Sequence, residues 1–261
     1  LIIRGNSLYT IVDGPSWTEA EANSIKLGGY LVAVNTKSEN DLLGSTFGFG
    51  YWLGLSDNKR EGTFEWSNGE SLTFNNWEIG EPSNGDPWET DPNGEDYVYS
   101  FKNTGKWNDA SDRDAASGDS AIQGIAETPF IRRGDSAYVI VEGPTWEDAE
   151  ANAVKLGGHL VTIDDINENN WVFENVIRSV SDGVWLGATD KEQEGVWKWA
   201  DGTPWGFTNW HQNQPDNATY LDSKGEDYLQ LVPEWSKYGA GGKWNDITHN
   251  YTEYPHRTLL G

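Results

Sequence analysis

Gln214-Pro215-Asp216, Gly225-Glu226-Asp227 and Trp244-Asn245-Asp246 form a series whose side chains carry carboxylates and amides around a loop proline. An earlier series, Glu81-Pro82-Ser83, Gly94-Glu95-Asp96 and Trp107-Asn108-Asp109, mirrors it. Such sets supply the parts of a calcium site built from oxygens alone. Calcium accepts six to eight oxygen ligands at flexible angles, water among them, and a sugar hydroxyl can replace a water.

The three pieces of each series lie a few tens of residues apart, so a single site requires a fold that gathers separate loops and a strand. Length favours two domains of ordinary size, each able to bury a core, because the chain has 261 residues. With 15 Trp, 11 Tyr and 8 Phe it is a packed protein rather than a disordered acidic tail. A formal net charge of -24 argues against nucleic acid, whose phosphates it would repel, and against insertion at an anionic membrane surface. That charge serves solubility or divalent-cation binding. Cysteine is absent, which excludes a disulfide framework, a thiolate metal site and a cysteine nucleophile. No apolar run approaches a membrane span, and the opening Leu1-Ile2-Ile3-Arg4 lacks the pattern of a cleavable leader; the chain reads as a segment of a larger parent polypeptide.

The elements that would position these residues occur twice. Gly14-Pro15-Ser16-Trp17 recurs as Gly143-Pro144-Thr145-Trp146, and Lys26-Leu27-Gly28-Gly29 as Lys155-Leu156-Gly157-Gly158, at a constant offset of 129. Trp52-Leu53-Gly54 matches Trp185-Leu186-Gly187 at 133, through an insertion near Ser179 to Gly183. The chain is a tandem duplication with its seam near Thr128-Pro129, giving domains 1–128 and 129–261.

In each copy a helix starts at a capping residue, Ser16 or Thr145, and stops at the Gly-Gly pair. A strand is predicted over 30–34 and over 159–163. A second helix is predicted from a capping box at Ser38-x-x-Asp41, and near Asn167 in copy two, where Trp171, Val172, Val176 and Ile177 recur at helical spacing. Short strands follow at 51–55, 63–66, 97–101 and 105–108. The loop from Asn76 to Gly94 is long enough to need a function or a ligand to hold it.

This order, a Trp-capped helix ending in Gly-Gly, then Trp-Leu-Gly, a proline tripeptide, Gly-Glu-Asp and Trp-Asn-Asp, resembles the C-type lectin-like domain over nearly all of both copies. The resemblance implies an α+β fold with two helices, short antiparallel strands and a long calcium-binding loop region per domain. It departs at the family's cysteines: Ser24 and Ala153 stand at the helix position, and Tyr97 and Tyr228 follow Gly-Glu-Asp. Carried over, the principal calcium site is Gln214, Asp216, Glu226, Asn245 and Asp246 in copy two, and Glu81, Ser83, Glu95, Asn108 and Asp109 in copy one. An ancillary site takes Asp190, Glu194 and Asp227, or Asp57, Glu61 and Asp96, sharing Glu226 or Glu95. Pro82 and Pro215 are implied to follow cis peptide bonds.

The implied function is calcium-dependent carbohydrate binding by a secreted or surface adhesin, not enzymatic. The calcium ligands Gln214, Asp216, Glu226, Asn245, Glu81, Ser83, Glu95 and Asn108 would also read the sugar, with Tyr220 and Trp88 stacking on its ring. Gln-Pro-Asp implies galactose-type hydroxyl pairs; the acid-first order of copy one implies mannose- or fucose-type ones, weakened by Ser83. The alternative is a calcium-stabilised module binding protein, peptide or ice. Trp107 and Trp244 are read as core residues, and the histidines as surface residues. The sequon at Asn217 lies at the proposed site, where a glycan would crowd it.

Overall fold

The computed structural model describes residues 1–48, 50–85, 94–102, 104–112, 123–178, 180, 183–219, 222–234, 241–249 and 257–260. The chain divides into two compact units, Leu1–Ile25 with Gly29–Pro129, and Lys26–Gly28 with Phe130–Gly261.

In the first unit, the chain order is β1 (Ile2–Arg4), β2 (Ser7–Asp13), α1 (Trp17–Lys26), β3 (Tyr30–Leu31), α2 (Lys37–Phe47), β4 (Trp52–Ser56), β5 (Glu65–Trp66), β6 (Tyr97–Ser100), β7 (Trp107–Ala110) and β8 (Gln123–Pro129). The sheet order is β1-β2-β8-β4-β6-β7. Strand β8 pairs antiparallel with β2 from Ser7↔Pro129 to Asp13↔Gln123, which brings the two ends of the unit together. Strand β8 also pairs antiparallel with the short β3 and parallel with β4, so the sheet is mixed rather than wholly antiparallel.

The second unit repeats this with β9 (Ile131–Arg133), β10 (Ser136–Glu142), α3 (Trp146–Lys155), α4 (Ile166–Val172) continued by a π-helical turn (Phe173–Ile177), β11 (Val184–Thr189), β12 (Lys198–Trp199), β13 (Tyr228–Leu231), β14 (Trp244–Ile247) and β15 (Arg257–Leu260). The order is β14-β13-β11-β15-β10-β9, and β11 runs parallel to β15.

Local chemistry explains the helix starts. Thr145 Oγ1 accepts the Asp148 backbone N–H, and Ser16 Oγ accepts that of Glu19. The second helix begins earlier than the predicted Ser38-x-x-Asp41 box. Thr36 is its cap, accepting the Glu39 N–H, while the Glu39 carboxylate accepts the Asn35 N–H. In the second unit Asp165 caps α4 through the Glu168 N–H. The strand predicted over 30–34 is short: after Leu31 the chain leaves the regular ladder, although Val32 still donates to Ile125 O. No named strand covers 159–163.

The first core gathers Tyr9, Val34, Leu53, Trp66, Val98 and Trp107, and the second Ile163, Val176, Leu186, Trp199, Leu229 and Trp244. Trp107 and Trp244 are fully buried, as expected of core residues. Their indole N–H groups donate to Asn40 and Asn169 on the second helices at 3.1 and 2.7 Å, which satisfies a polar atom that burial would otherwise strand.

At the positions where cysteines are lacking, packing takes over. Ser24 is buried and donates to Ala20 O at 2.9 Å, and Ala153 is buried. Tyr97 lies on Trp17 with ring centres 4.9 Å apart, and Tyr228 on Trp146 at 5.4 Å. Each aromatic pair fastens the first helix to the strand that follows Gly-Glu-Asp.

Candidate functional site

The two loop systems are anchored alike. Trp107 donates its backbone N–H to Asn76 O and accepts from Glu78, and Trp244 does the same with Asn209 and His211. The chain then turns, with Glu81 N–H bonded to Glu78 O and Gln214 N–H to His211 O, each at 3.1 Å. Both following X-Pro bonds, Glu81-Pro82 and Gln214-Pro215, are cis, as the resemblance implied.

Next comes a residue absent from the predicted set. Asn84 and Asn217 adopt left-handed backbone at φ 47° and 46°, a region asparagine tolerates better than most side chains. Their Oδ1 atoms accept the N–H of Glu95 and Glu226 at 2.7 and 2.8 Å. Their own backbone N–H groups are held by Asp109 and Asp246, both at 2.8 Å. Gly94 and Gly225 must be glycine here, because a Cβ would come within 1.9 and 1.7 Å of those same Oδ1 atoms. The residue after each tripeptide thus locks the Gly-Glu-Asp segment to the Trp-Asn-Asp strand. The signal for it in the sequence was an asparagine recurring directly after the third tripeptide residue, Ser83 and Asp216.

In the second unit this brings Asp216, Glu226 and Asp246 together, with one carboxylate oxygen from each within 4.8 Å of the others. Burial, and then repulsion from Asp246, push Glu226 up to about 8. Burial also raises Asp246. Gln214 Oε1 is buried with no hydrogen-bond partner among the described residues. Asn245 is partly buried and donates to the Asp246 carbonyl at 2.6 Å.

In the first unit Ser83 Oγ donates to Glu95 at 3.4 Å, and Asp109 accepts the Ser83 N–H at 3.0 Å. Burial, and then Asp109, push Glu95 up to about 7. Glu81 is raised mainly by burial and has a buried oxygen without a partner among the described residues, the counterpart of Gln214 Oε1. Asn108 donates to the Asp109 carbonyl at 2.6 Å. Acids raised by burial and mutual repulsion, beside a partnerless buried oxygen, form a donor set that fits a hard cation and lacks only positive charge.

Among the ancillary acids, Asp57 is near enough to Glu61 and Asp96, and Asp190 to Glu194 and Asp227, for their charges to repel. Asp57 and Asp190 are buried, each with one oxygen accepting the Gly62 or Gly195 N–H at 2.8 Å and the other without a partner among the described residues. Burial comes first among the causes that raise both, with repulsion from Glu61 and Asp96, or from Glu194 and Asp227, added; Asp190 reaches about 6. Asn217 Nδ2 donates to Glu194 at 2.5 Å, so one amide touches both acid groups of the second unit.

Trp88 and Tyr220 lie outside the described residues, as do His256 and the sequon at Asn250. His159 pairs with Glu150 at 2.6 Å, and His211 and His249 are partly buried rather than fully exposed.

A family model described as the lectin C-type domain matches residues 13–117 and 142–254. The chain belongs to the C-type lectin domain family. It is 37% identical over 112 residues to the perlucin-like protein of Mytilus galloprovincialis, covering 42% of this chain and 65% of that one. It is 33% identical over 116 residues to C-type lectin domain family 4 member D of Homo sapiens, covering 44% of this chain and 49% of that one. The chain therefore spans less than two thirds of the length of these relatives. Among solved structures, the mouse scavenger receptor C-type lectin carbohydrate-recognition domain is 30% identical, covering 50% of this chain and 90% of that one, with a TM-score of 0.41. In this C-type lectin domain pair, the group of three carboxylates within 4.8 Å of one another, Asp216, Glu226 and Asp246, falls in the second matched segment. Among the described residues, no helix is long and apolar enough to cross a membrane.

Proposed function

We propose that the chain is a pair of calcium-dependent glycan-binding domains, 1–128 and 129–261, forming the recognition segment of a secreted or surface-displayed adhesin. The observation that carries this reading is the meeting of Asp216, Glu226 and Asp246 within 4.8 Å, in a loop system where the buried Gln214 Oε1 has no hydrogen-bond partner among the described residues. Three carboxylates at that separation repel one another unless protons or a cation intervene.

Gln214, Asp216, Glu226, Asn245 and Asp246 hold calcium in the second unit, and Glu81, Ser83, Glu95, Asn108 and Asp109 in the first. Asp190, Glu194 and Asp227, and Asp57, Glu61 and Asp96, form the ancillary sets. A bound calcium ion supplies coordination positions that two neighbouring pyranose hydroxyls fill in place of water. The protein then reads those hydroxyls: carboxylates accept their protons, and the Gln214 and Asn245 amides donate to their oxygens.

Amide-first order at Gln214 and Asp216 favours galactose-type pairs. Acid-first order at Glu81 favours mannose- or fucose-type pairs, held more weakly because Ser83 offers one short donor where an amide would offer two. The acids act as ligands, so the reading is binding and not catalysis. Affinity chromatography tests it: immobilised galactose or mannose retains the chain with calcium and releases it with chelator, whereas retention indifferent to chelator contradicts it.

A further inference from the structure

The turn that enters each site is the same in backbone and different at its tip. In the first unit it runs Glu78-Ile79-Gly80-Glu81, closed by the Glu81 N–H to Glu78 O bond of 3.1 Å, with Gly80 at φ 101°. In the second it runs His211-Gln212-Asn213-Gln214, closed by a bond of the same length, with Asn213 at φ 69°. Each turn is pinned through its first residue to the carbonyl of the tryptophan preceding Asn108 or Asn245. The tip residues Ile79 and Gln212 therefore occupy equivalent places in the two turns, two residues from Glu81 or Gln214 and within about 7 Å of them along the backbone.

Ile79 is 96% exposed, whereas the other exposed large aliphatic or aromatic side chains among the described residues range from 36 to 58%. Single exposed apolar residues are common on protein surfaces. This one is unusual in being almost wholly outside the fold while its backbone is fixed. Its N–H donates to the Glu78 carboxylate at 2.9 Å, and the Glu78 carbonyl before it accepts the Glu81 N–H. A β-branched side chain, stiff at χ1 and carried on a pinned backbone, loses little entropy when it is covered. Its partner must be an apolar part of the ligand, since the polar face is engaged by the acids and amides.

We infer that Ile79 is a specificity-determining residue of the first unit, selecting saccharides with a methyl substituent beside the cation-bound hydroxyls, such as 6-deoxyhexoses. Gln212 at the same place in the second unit favours a hydroxymethyl group, to which its amide can hydrogen-bond. The inference rests on the proposed calcium-dependent reading, and it explains how two similar frameworks in one chain take different sugars.

L-Fucose and L-galactose differ only in a methyl against a hydroxymethyl group, so the pair isolates the effect. Calorimetric titration of the full chain in calcium with each sugar is compared for the wild type, Ile79→Gln and Glu81→Ala. The wild type is expected to favour L-fucose by about three- to fivefold at the site that Glu81→Ala removes, the range for covering one methyl group. Ile79→Gln is expected to bring that ratio to about one with calcium affinity unchanged. A fucose preference that survives Ile79→Gln overturns the inference. So does sugar binding unaffected by Glu81→Ala, which takes the first unit out of sugar recognition. Absence of calcium-dependent binding to any sugar fails the broader reading instead, and it is told apart by the lack of signal in the wild type.

Discussion

Asp246 accepts the backbone N–H of Asn217 through Oδ2 at 2.8 Å, and its Oδ1 accepts the N–H of Asp216 at 3.2 Å. One nearly inaccessible carboxylate thus shapes the loop while belonging to the cluster that would hold a cation. Replacing it by alanine leaves two backbone donors unanswered, at a cost of about 2–3 kcal/mol. Asp246→Ala should lower calcium affinity at the second unit by at least about tenfold, read by calorimetric calcium titration, with the first unit unchanged. Equal affinity in variant and wild type would show that this carboxylate is not a ligand.

The sequon at Asn217 is predicted to stay unmodified in the folded protein. Its Nδ2 faces Glu194 at 2.5 Å and its Oδ1 holds the Glu226 N–H, so a glycan on that nitrogen displaces the loop. Peptide mass spectrometry after expression in a glycosylating host checks this. Asn217→Ala should also destabilise the calcium-free second unit by about 1–2 kcal/mol through its lost hydrogen bonds, measured by urea unfolding.

Tyr228 is buried outside the two core clusters. It lies on Trp146, stands edge-on to Trp185 at 6.2 Å and donates its hydroxyl to Glu147 at 2.5 Å. Tyr228→Ala should cost about 3–5 kcal/mol, as for other buried aromatic truncations, whereas Tyr228→Phe keeps the rings in place and loses about 1 kcal/mol. Thermal unfolding of the two variants separates ring packing from the hydroxyl; equal losses would deny the ring its role in place of a disulfide.

Much of this was legible in the sequence. The repeat, the buried tryptophans and the grouping of Gly-Glu-Asp with Trp-Asn-Asp follow from motifs whose side chains must either pack or ligate. Ser38-x-x-Asp41 and Thr36-x-x-Glu39 satisfy the same capping pattern two residues apart, and the Glu39 bond back to Asn35, a tie of the folded chain, decides for Thr36. Asn84 and Asn217 were passed over because asparagine beside a proline tripeptide reads as an ordinary turn residue. Their left-handed backbone and the glycines that make room for their side chains are facts of packing. The parallel pairing of β4 with β8 joins strands far apart in the chain, which local periodicity does not encode.

Acidity should act in opposite directions with and without calcium. Folding lifts Glu226 from an ordinary 4.5 to about 8, and Glu95 from 4.5 to about 7. Between those values the folded chain holds protons that the unfolded chain releases, so calcium-free stability falls as pH rises from about 5 to about 8. Calcium must displace those protons, so its stabilising effect grows over the same range. Melting temperatures with calcium and with chelator at pH 5, 6, 7 and 8 read both trends. A calcium-induced rise in Tm that does not depend on pH would contradict carboxylate ligation at these clusters.

Calorimetric titration of calcium into the chelator-stripped chain, repeated with Glu226→Gln and Glu95→Gln, bears most directly on whether the clusters hold a metal that sugars then share. The account predicts saturable calcium binding in both units, loss of it from one unit in each variant, and sugar binding that appears only after calcium is added. Calcium heats that are absent at millimolar concentrations, or unchanged in both variants, would contradict it.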